Sequence, residues 1–129
     1  MKSIPDSHRD VVESSQVVIL GTIGSHGEPH ITALWFLLED DVLRMSINSS
    51  RQKLKNLKRN PACSAFFMDP ASPYRTVEFR GTVEIEDDPD YSFAATVGAK
   101  YGSDLREMDQ PGEFRSVVTL SVDSVHTFG

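Results

Sequence analysis

The sequence predicts a mainly β protein, with six antiparallel strands in a small barrel and two or three short helices that fill its gaps. Continuous apolar runs at 17–20 and 33–38 favour strands that are covered on both faces. Residues 77–86 alternate between apolar and polar side chains, which is typical of a strand. Residues 51–59 and 88–101 instead repeat apolar side chains at helical spacing. A half-exposed β-sandwich is the alternative architecture.

Length and composition predict a single domain over residues 1–129. The chain is 39% hydrophobic and 25% charged, which is ordinary globular usage. Its net charge of −6 argues against a general nucleic-acid binder, and its apolar runs are shorter than the ~20 residues of a membrane span. Because residues 1–10 are too polar for a signal peptide and Cys63 is the sole cysteine, we expect a cytoplasmic protein.

The first half of the chain is predicted to form an opening helix and three strands. The helix is expected near residues 5–12, and the first strand at 16–23. The glycines at 24 and 27 indicate a tight turn into a second strand at 29–38. After a turn at 39–41, the third strand is expected at 42–48. Short connections of this kind predict an antiparallel meander.

The second half of the chain mixes helices with longer strands. A helix over 51–59 places Leu54 and Leu57 on one face, with Ser49 and Ser50 as candidate N-caps and Pro61 as its stop. Gly81 predicts a bulge inside its strand. The remaining predicted elements are strands at 62–68, 74–86 and 114–128, a helix at 88–101 and a polar loop at 102–112.

The helix at 51–59 has an unusual charge. It contains five of the 13 basic residues and no acid: Arg51, Lys53, Lys55, Lys58 and Arg59. The N-terminus of a helix attracts anions, so cations at positions 51 and 53 are unfavourable unless an anion lies between them. A phosphate group is the natural candidate, because arginine grips two oxygens and lysine adds a point charge. A solvated helix face is the alternative interpretation.

Other residues give weaker indications of chemistry. The histidines at 8, 26, 30 and 126 lack metal-ligand spacing, so no metal site is predicted. Trp35 and Phe36 either form one wall of a pocket for a planar ligand or pack in the core. Tyr74 and Arg75 either meet a ligand with a ring and an anion or form a stacked surface pair.

Three segments together resemble one known family. They are TI at 22–23 with GEPHIT at 27–32 and WF at 35–36, MSINSSRQK at 45–53 with NLKRNP at 56–61, and residues 74–84 with Gly81. In this order they resemble the pyridoxamine 5'-phosphate oxidase-like family of flavin and deazaflavin proteins, over roughly residues 10–125. The resemblance implies a split β-barrel of the FMN-binding type.

The branch that uses coenzyme F420, a phosphorylated deazaflavin, resembles this chain most. By this resemblance, Arg51 and Lys53 hold the phosphate, and Tyr74 and Arg75 approach the cofactor across a homodimer interface. The resemblance implies the following further cofactor contacts: His30, Ile31, Thr32, Ser46, Ile47, Asn48, Ser49 and Ser50.

The resemblance implies an oxidoreductase in which reduced coenzyme F420 transfers a hydride to a planar conjugated acceptor such as an enone, a quinone or a tetrapyrrole. No residue is assigned as catalytic, and His30, Tyr74 and Tyr101 are candidate proton donors. FMN is the alternative cofactor, which would make the protein an FMN-dependent pyridoxamine phosphate oxidase-like oxidoreductase. A non-catalytic carrier of a flavin, F420 or haem is the alternative of a different class.

Overall fold

The computed structural model describes residues 2–129, which form three α-helices and seven strands. The helices are α1 (Arg9–Ser14), α2 (Gln52–Arg59) and α3 (Ser92–Tyr101). The strands are β1 (Val18–Ile23), β2 (Pro29–Leu34), β3 (Leu37–Glu39), β4 (Val42–Asn48), β5 (Ala62–Asp69), β6 (Ser72–Asp87) and β7 (Arg115–Phe128). Short 3₁₀ helices lie at Asp6–His8 and Leu105–Met108. No helix within residues 2–129 has the length and apolarity that a membrane crossing requires.

The strands form one antiparallel sheet in the order β2-β1-β5-β6-β7-β4-β3. The sheet curls into a half-barrel, so the predicted mainly β split barrel is confirmed. Its interior is filled by fully buried side chains from five strands, among them Leu20, Leu43, Phe67, Phe79 and Leu120. Apolar residues of α1 and α2 extend this core.

The predicted strand at 29–38 is wrong, and its two halves lie at opposite edges of the sheet. β2 pairs with β1, whereas β3 pairs with β4. The predicted meander is therefore also wrong beyond its first hairpin, and the sheet has seven strands instead of six. The chain crosses between the two edges at Trp35 and Phe36.

Residues from α3 hold this crossing in place. The Phe36 N–H donates to the Tyr101 hydroxyl at 3.2 Å, and Lys100 Nζ donates to the Phe36 carbonyl at 2.8 Å. The Phe36 ring is 2% exposed and packs against Phe67 in the core. The backbone of Phe36 thus has side-chain partners where a continuous strand would have ladder partners, and its ring is anchored inside the barrel.

The predicted bulge at Gly81 is confirmed. The register between β6 and β7 shifts between Arg80 and Gly81, so that Asp123 has no partner across the pair. A side-chain Cβ at position 81 would overlap the carbonyl oxygen of Ser121. Glycine therefore permits the close approach of the two longest strands.

The predicted helix at 88–101 begins later, at Ser92. Asp88 lies outside the helix, 4% exposed, and its carboxylate accepts from the N–H groups of Phe93 and Ala94. Tyr91, with φ 60°, separates Asp88 from the helix. The predicted apolar face is confirmed, since α3 packs with Leu37 and Leu105 in a second apolar cluster.

Candidate functional site

A cavity of about 570 Å³ spans the split between β2 and β4. Its lining comes from β2 and the crossing after it, the end of β4, the start of α2, the region of α3 and the following 3₁₀ helix, and the start of β7. The lining residues are His30, Thr32, Ala33, Leu34, Trp35, Ser46, Ile47, Asn48, Arg51, Gln52, Lys53, Val97, Leu105, Met108 and Arg115. The lining contains three cations and no carboxylate.

The start of α2 contributes a cationic surface without a paired acid. Neither Arg51 nor Lys53 belongs to any ion pair within residues 2–129. Burial, and then the charge of Arg51, lowers the pKa of Lys53 below its usual 10.5. The backbone N–H groups of Gln52 and Lys53 have no hydrogen-bond acceptor within residues 2–129. These groups together form a site suited to an anion.

Asn48 orders the turn that leads into α2. Its Oδ1 accepts from the Ser50 N–H and the Ser50 hydroxyl, both at 2.8 Å, and its carbonyl accepts from the Arg51 N–H at 3.1 Å. The predicted capping by Ser49 or Ser50 is wrong. Arg51 occupies the N-cap position, and no side chain caps the helix. The serine hydroxyls bond within the turn and to Phe114, which leaves the first N–H groups of α2 free.

A buried carboxylate, Asp109, connects the cavity walls. It accepts from Asn48 Nδ2 at 2.7 Å, from the Tyr91 hydroxyl at 2.6 Å and from Arg115 Nη2 at 2.8 Å. Arg115 Nε adds a bond at 3.0 Å to the second carboxylate oxygen. Burial raises the pKa of Asp109, but these donors outweigh burial and lower the pKa to about 2. Asp109 is therefore ionised, and it fixes both Asn48 and Arg115.

Two buried polar atoms without a hydrogen-bond partner belong to residues of the cavity lining. They are His30 Nδ1 and Thr32 Oγ1, on alternate residues of β2. A buried polar atom without a hydrogen bond costs about 1–3 kcal/mol. Unpaired polar atoms in a cavity lining are thus expected to bond to whatever binds there.

The apolar lining includes one aromatic wall. The Trp35 ring stacks on the Tyr101 ring, and Val97, Leu105 and Met108 add aliphatic surface. Of the two interpretations of Trp35 and Phe36, a pocket wall and core packing, each applies to one residue. Trp35 lines the cavity, and Phe36 packs in the core. The predicted polar loop at 102–112 supplies part of the cavity wall through its 3₁₀ helix.

The structure brings together most, but not all, of the residues to which the sequence assigns cofactor contacts. Those that line the cavity are His30, Thr32, Ser46, Ile47, Asn48, Arg51 and Lys53. Ile31 is 67% exposed, and Ser49 and Ser50 lie in the turn behind the lining. A role in cofactor binding stays a prediction for these three residues and for the seven that line the cavity.

Tyr74 and Arg75 lie outside the cavity lining of this chain. Tyr74 is 80% exposed. The Arg75 guanidinium pairs with Asp10 at 2.9 Å and with Asp69 at 2.7 Å. A contact with the cofactor across a dimer interface stays a prediction for both residues.

Sequence reasoning missed Arg115 and its partners Asp109 and Tyr91. The available signal was an arginine at the start of the strand 115–122, in which every other residue is uncharged. Its partners in the loop and before α3 have no sequence spacing that links them to it.

Burial raises the pKa of the Cys63 thiol to about 12, which makes this residue a poor nucleophile. Among residues 2–129, no cluster of three or more potential ligands could hold a metal ion.

Comparisons with known proteins agree with this fold. A solved structure described as an F420 reductase superimposes with a TM-score of 0.82 at 30% identity, covering 95% of this chain and 98% of that one. A conserved hypothetical protein of Mycobacterium tuberculosis, Rv2991, gives a TM-score of 0.77 at 24% identity, covering 99% and 89%. HupZ of Group A Streptococcus gives 0.72 at 21% identity, covering 96% and 93%. The last two likenesses concern the fold alone. A search of curated proteins gave no match.

The family model described as pyridoxamine 5'-phosphate oxidase matches residues 4–128, nearly the whole chain. This match and the likeness to the F420 reductase support an oxidoreductase related to flavin or deazaflavin enzymes. They agree with a half-barrel whose split contains a cavity with an anion site. The chain therefore belongs to the pyridoxamine 5'-phosphate oxidase family and has its split-barrel fold.

Proposed function

We propose that this protein is an oxidoreductase that binds coenzyme F420 in the 570 Å³ cavity and reduces a planar conjugated acceptor such as an enone, a quinone or a tetrapyrrole. The single observation that carries the proposal is the unpaired cation pair, Arg51 and Lys53, at an uncapped helix N-terminus inside this cavity. The 30% identity to an F420 reductase favours the deazaflavin over FMN.

The phosphate of the cofactor is the group that this helix end suits best. Arg51 can donate two parallel hydrogen bonds, Lys53 adds a charge, and the free N–H groups of α2 point along the same helix dipole. The repulsion between Arg51 and Lys53 contributes to the lowered pKa of Lys53. A bound anion relieves this repulsion. The absence of carboxylates in the lining removes competition for these cations.

The remaining lining fits a planar, heteroatom-rich ring. His30 Nδ1 and Thr32 Oγ1 are unpaired, so ring carbonyls or N–H groups would complete their hydrogen bonds. Trp35, Leu105 and Met108 provide apolar surface for the faces of a ring system. When bound, reduced coenzyme F420 supplies the hydride.

The chain itself would bind, orient and shield the reactants. Arg51 and Lys53 hold the phosphate, and the apolar residues near α3 exclude water from the acceptor. His30 is the best of the three candidate proton donors because it lines the cavity and its Nδ1 has no hydrogen-bond partner. The Tyr101 hydroxyl is bonded to Gln16 and Phe36, and Tyr74 lies outside the lining.

A homodimer is the second part of this proposal. The exposed apolar side chains Ile31, Tyr74 and Phe128 are 67%, 80% and 68% exposed, and a partner would cover them. In such a dimer Tyr74 and Arg75 would approach the partner's cofactor. If sedimentation equilibrium shows a monomer, the homodimer is contradicted, and the rest of the proposed function is unaffected.

The test is to titrate coenzyme F420 and FMN under identical conditions and follow the quenching of Trp35, the sole tryptophan, which lines the cavity. The double variant Arg51→Ala with Lys53→Ala should lose binding and keep its fold. The matched control is Lys55→Ala with Lys58→Ala, which removes two cations of the same helix that do not line the cavity. Unchanged affinity in the first variant contradicts the phosphate site, and tighter binding of FMN contradicts the choice of cofactor.

A second measurement separates the reductase from a non-catalytic carrier. Reduced coenzyme F420 is mixed with the protein and a panel of enones, quinones and tetrapyrroles, and its reoxidation is followed by absorbance. The proposal expects reoxidation above background with at least one acceptor class and its loss in the Arg51→Ala, Lys53→Ala variant. Tight binding without any reoxidation would favour the carrier.

A further inference from the structure

We propose that Arg115 is a ligand-binding residue of this cavity, and that it donates through Nη1 to an uncharged oxygen, a carbonyl or hydroxyl, of the bound cofactor. The inference rests on the proposed function, since it concerns the same cavity. It adds a contact of a different kind from the phosphate contacts of Arg51 and Lys53.

One edge of the Arg115 guanidinium is fully used by Asp109. Nη2 donates to Asp109 Oδ1 at 2.8 Å, and Nε donates to Oδ2 at 3.0 Å. The two side chains are 9% and 4% exposed. A two-point, buried pair of this kind fixes the plane of the guanidinium. The Tyr91 hydroxyl and Asn48 Nδ2 hold the Asp109 carboxylate in turn.

The other amino group, Nη1, is poorly satisfied, and the residue that it contacts also lines the cavity. Its two contacts go to Ser46, at 3.4 Å to the carbonyl and 3.5 Å to the hydroxyl, and both are long for hydrogen bonds. Ser46 and Arg115 both line the cavity. Because an arginine amino group carries two N–H donors, Nη1 has capacity for an acceptor in the cavity.

Charge distinguishes this donor from the anion site. Asp109 neutralises Arg115 at contact distance, so the pair adds a directed N–H donor to the cavity but little net charge. Within residues 2–129, neither Arg51 nor Lys53 has such an acid to neutralise its charge. The anion site therefore suits phosphate, and Arg115 suits an oxygen without formal charge.

The experiment measures the dissociation constants of coenzyme F420 and FMN at several KCl concentrations for Arg115→Lys. Lysine keeps the charge and one bond to Asp109 but lacks the forked Nη1. We expect affinity to fall about tenfold at every salt concentration, with an unchanged salt dependence. Arg51→Gln should instead weaken binding and flatten the salt dependence, because it removes a charge that faces phosphate.

The matched control is Arg9→Lys, which makes the same change in a two-point pair with Asp41 outside the cavity and should leave affinity unchanged. If Arg115→Lys does not fold, Asp109→Asn with Arg115→Gln removes both charges, leaves the net charge of the pair at zero and should show the same tenfold loss. Affinity within twofold of the wild type, or a flattened salt dependence in Arg115→Lys, overturns this inference alone. Failure of the wild type to bind either cofactor overturns the proposed function as well.

Discussion

The indole ring of Trp35 stacks on the phenol ring of Tyr101, with centroids 4.4 Å apart and planes within 3° of parallel. The Tyr101 hydroxyl also donates to the Gln16 carbonyl at 2.9 Å and accepts from the Phe36 N–H at 3.2 Å. One residue of α3 thus holds both the aromatic wall of the cavity and the backbone crossing from one sheet edge to the other. The position of Trp35 depends on this helix.

Substitution at Tyr101 should separate the contribution of its ring from that of its hydroxyl. Tyr101→Phe removes the hydroxyl bonds and keeps the stack, and we expect a loss of about 1 kcal/mol in the free energy of unfolding. Tyr101→Leu also removes the stack, which adds a further loss of about 1 kcal/mol. Urea unfolding followed by circular dichroism measures both losses, and the emission of Trp35 should change only in Tyr101→Leu. Equal stability of the two variants would show that the stack contributes nothing.

The glycine at the β6–β7 bulge should be intolerant of a side chain. In Gly81→Ala the new Cβ overlaps the Ser121 carbonyl oxygen, which is backbone and cannot rotate away. We expect a loss of about 2–3 kcal/mol in the free energy of unfolding. Gly27→Ala is the control, because φ is +81° there but the space is open, so only backbone strain of about 1 kcal/mol applies. A loss at Gly81 no larger than at Gly27 would contradict the close approach.

Local patterns were sufficient for much of this fold. The apolar face of α2, the bulge at Gly81 and the long strands were predicted correctly because each depends on neighbours in sequence. The sequence around Arg51 and Lys53 was also sufficient to single out this cation pair, because two basic residues at the N-terminus of a helix are unfavourable with respect to its dipole. Both cations line the cavity.

Long-range contacts account for the errors. Residues 29–38 have unbroken strand propensity, and the break at Phe36 depends on bonds to Tyr101, 65 positions away. The bond between Asn48 and Asp109 spans 61 positions, and that between Arg115 and Ser46 spans 69. No periodicity in the sequence records such pairings, so the network around Asp109 could be found only in the folded protein.

The network around Asp109 should make stability depend on acid pH. The folded-state pKa is about 2, below the ordinary 3.8, so the ionised carboxylate stabilises the fold above pH 3.8 and this contribution is lost as pH falls towards 2. The shift corresponds to about 2 kcal/mol. Urea unfolding of the wild type and of Asp109→Asn should show a stability difference near pH 6 that shrinks by about this amount near pH 2. A difference independent of pH would contradict the assignment.

The lowered pKa of Lys53 should appear in the pH dependence of cofactor binding. Burial and the neighbouring Arg51 disfavour the charged amine in the free protein, whereas a bound phosphate favours it. Lys53 therefore has a lower pKa in the free protein than in the cofactor complex. At pH values between these two pKa values, binding of the cofactor is accompanied by uptake of a proton. As pH rises through the lowered pKa, the dissociation constant of the cofactor should rise, and the rise should begin below pH 10.5.

Lys53→Arg provides the matched variant for this prediction, because arginine stays charged over the whole range. The measurement is fluorescence titration of coenzyme F420 from about pH 7 to 10 with both proteins, since ionisation of the ligand is common to them and cancels in the ratio of their affinities. The ratio should move steadily in favour of the arginine variant as pH rises. Arg51→Ala should shift the rise to higher pH, because it removes the charge that helps to lower the Lys53 pKa. A ratio that is constant with pH would place Lys53 away from the bound anion.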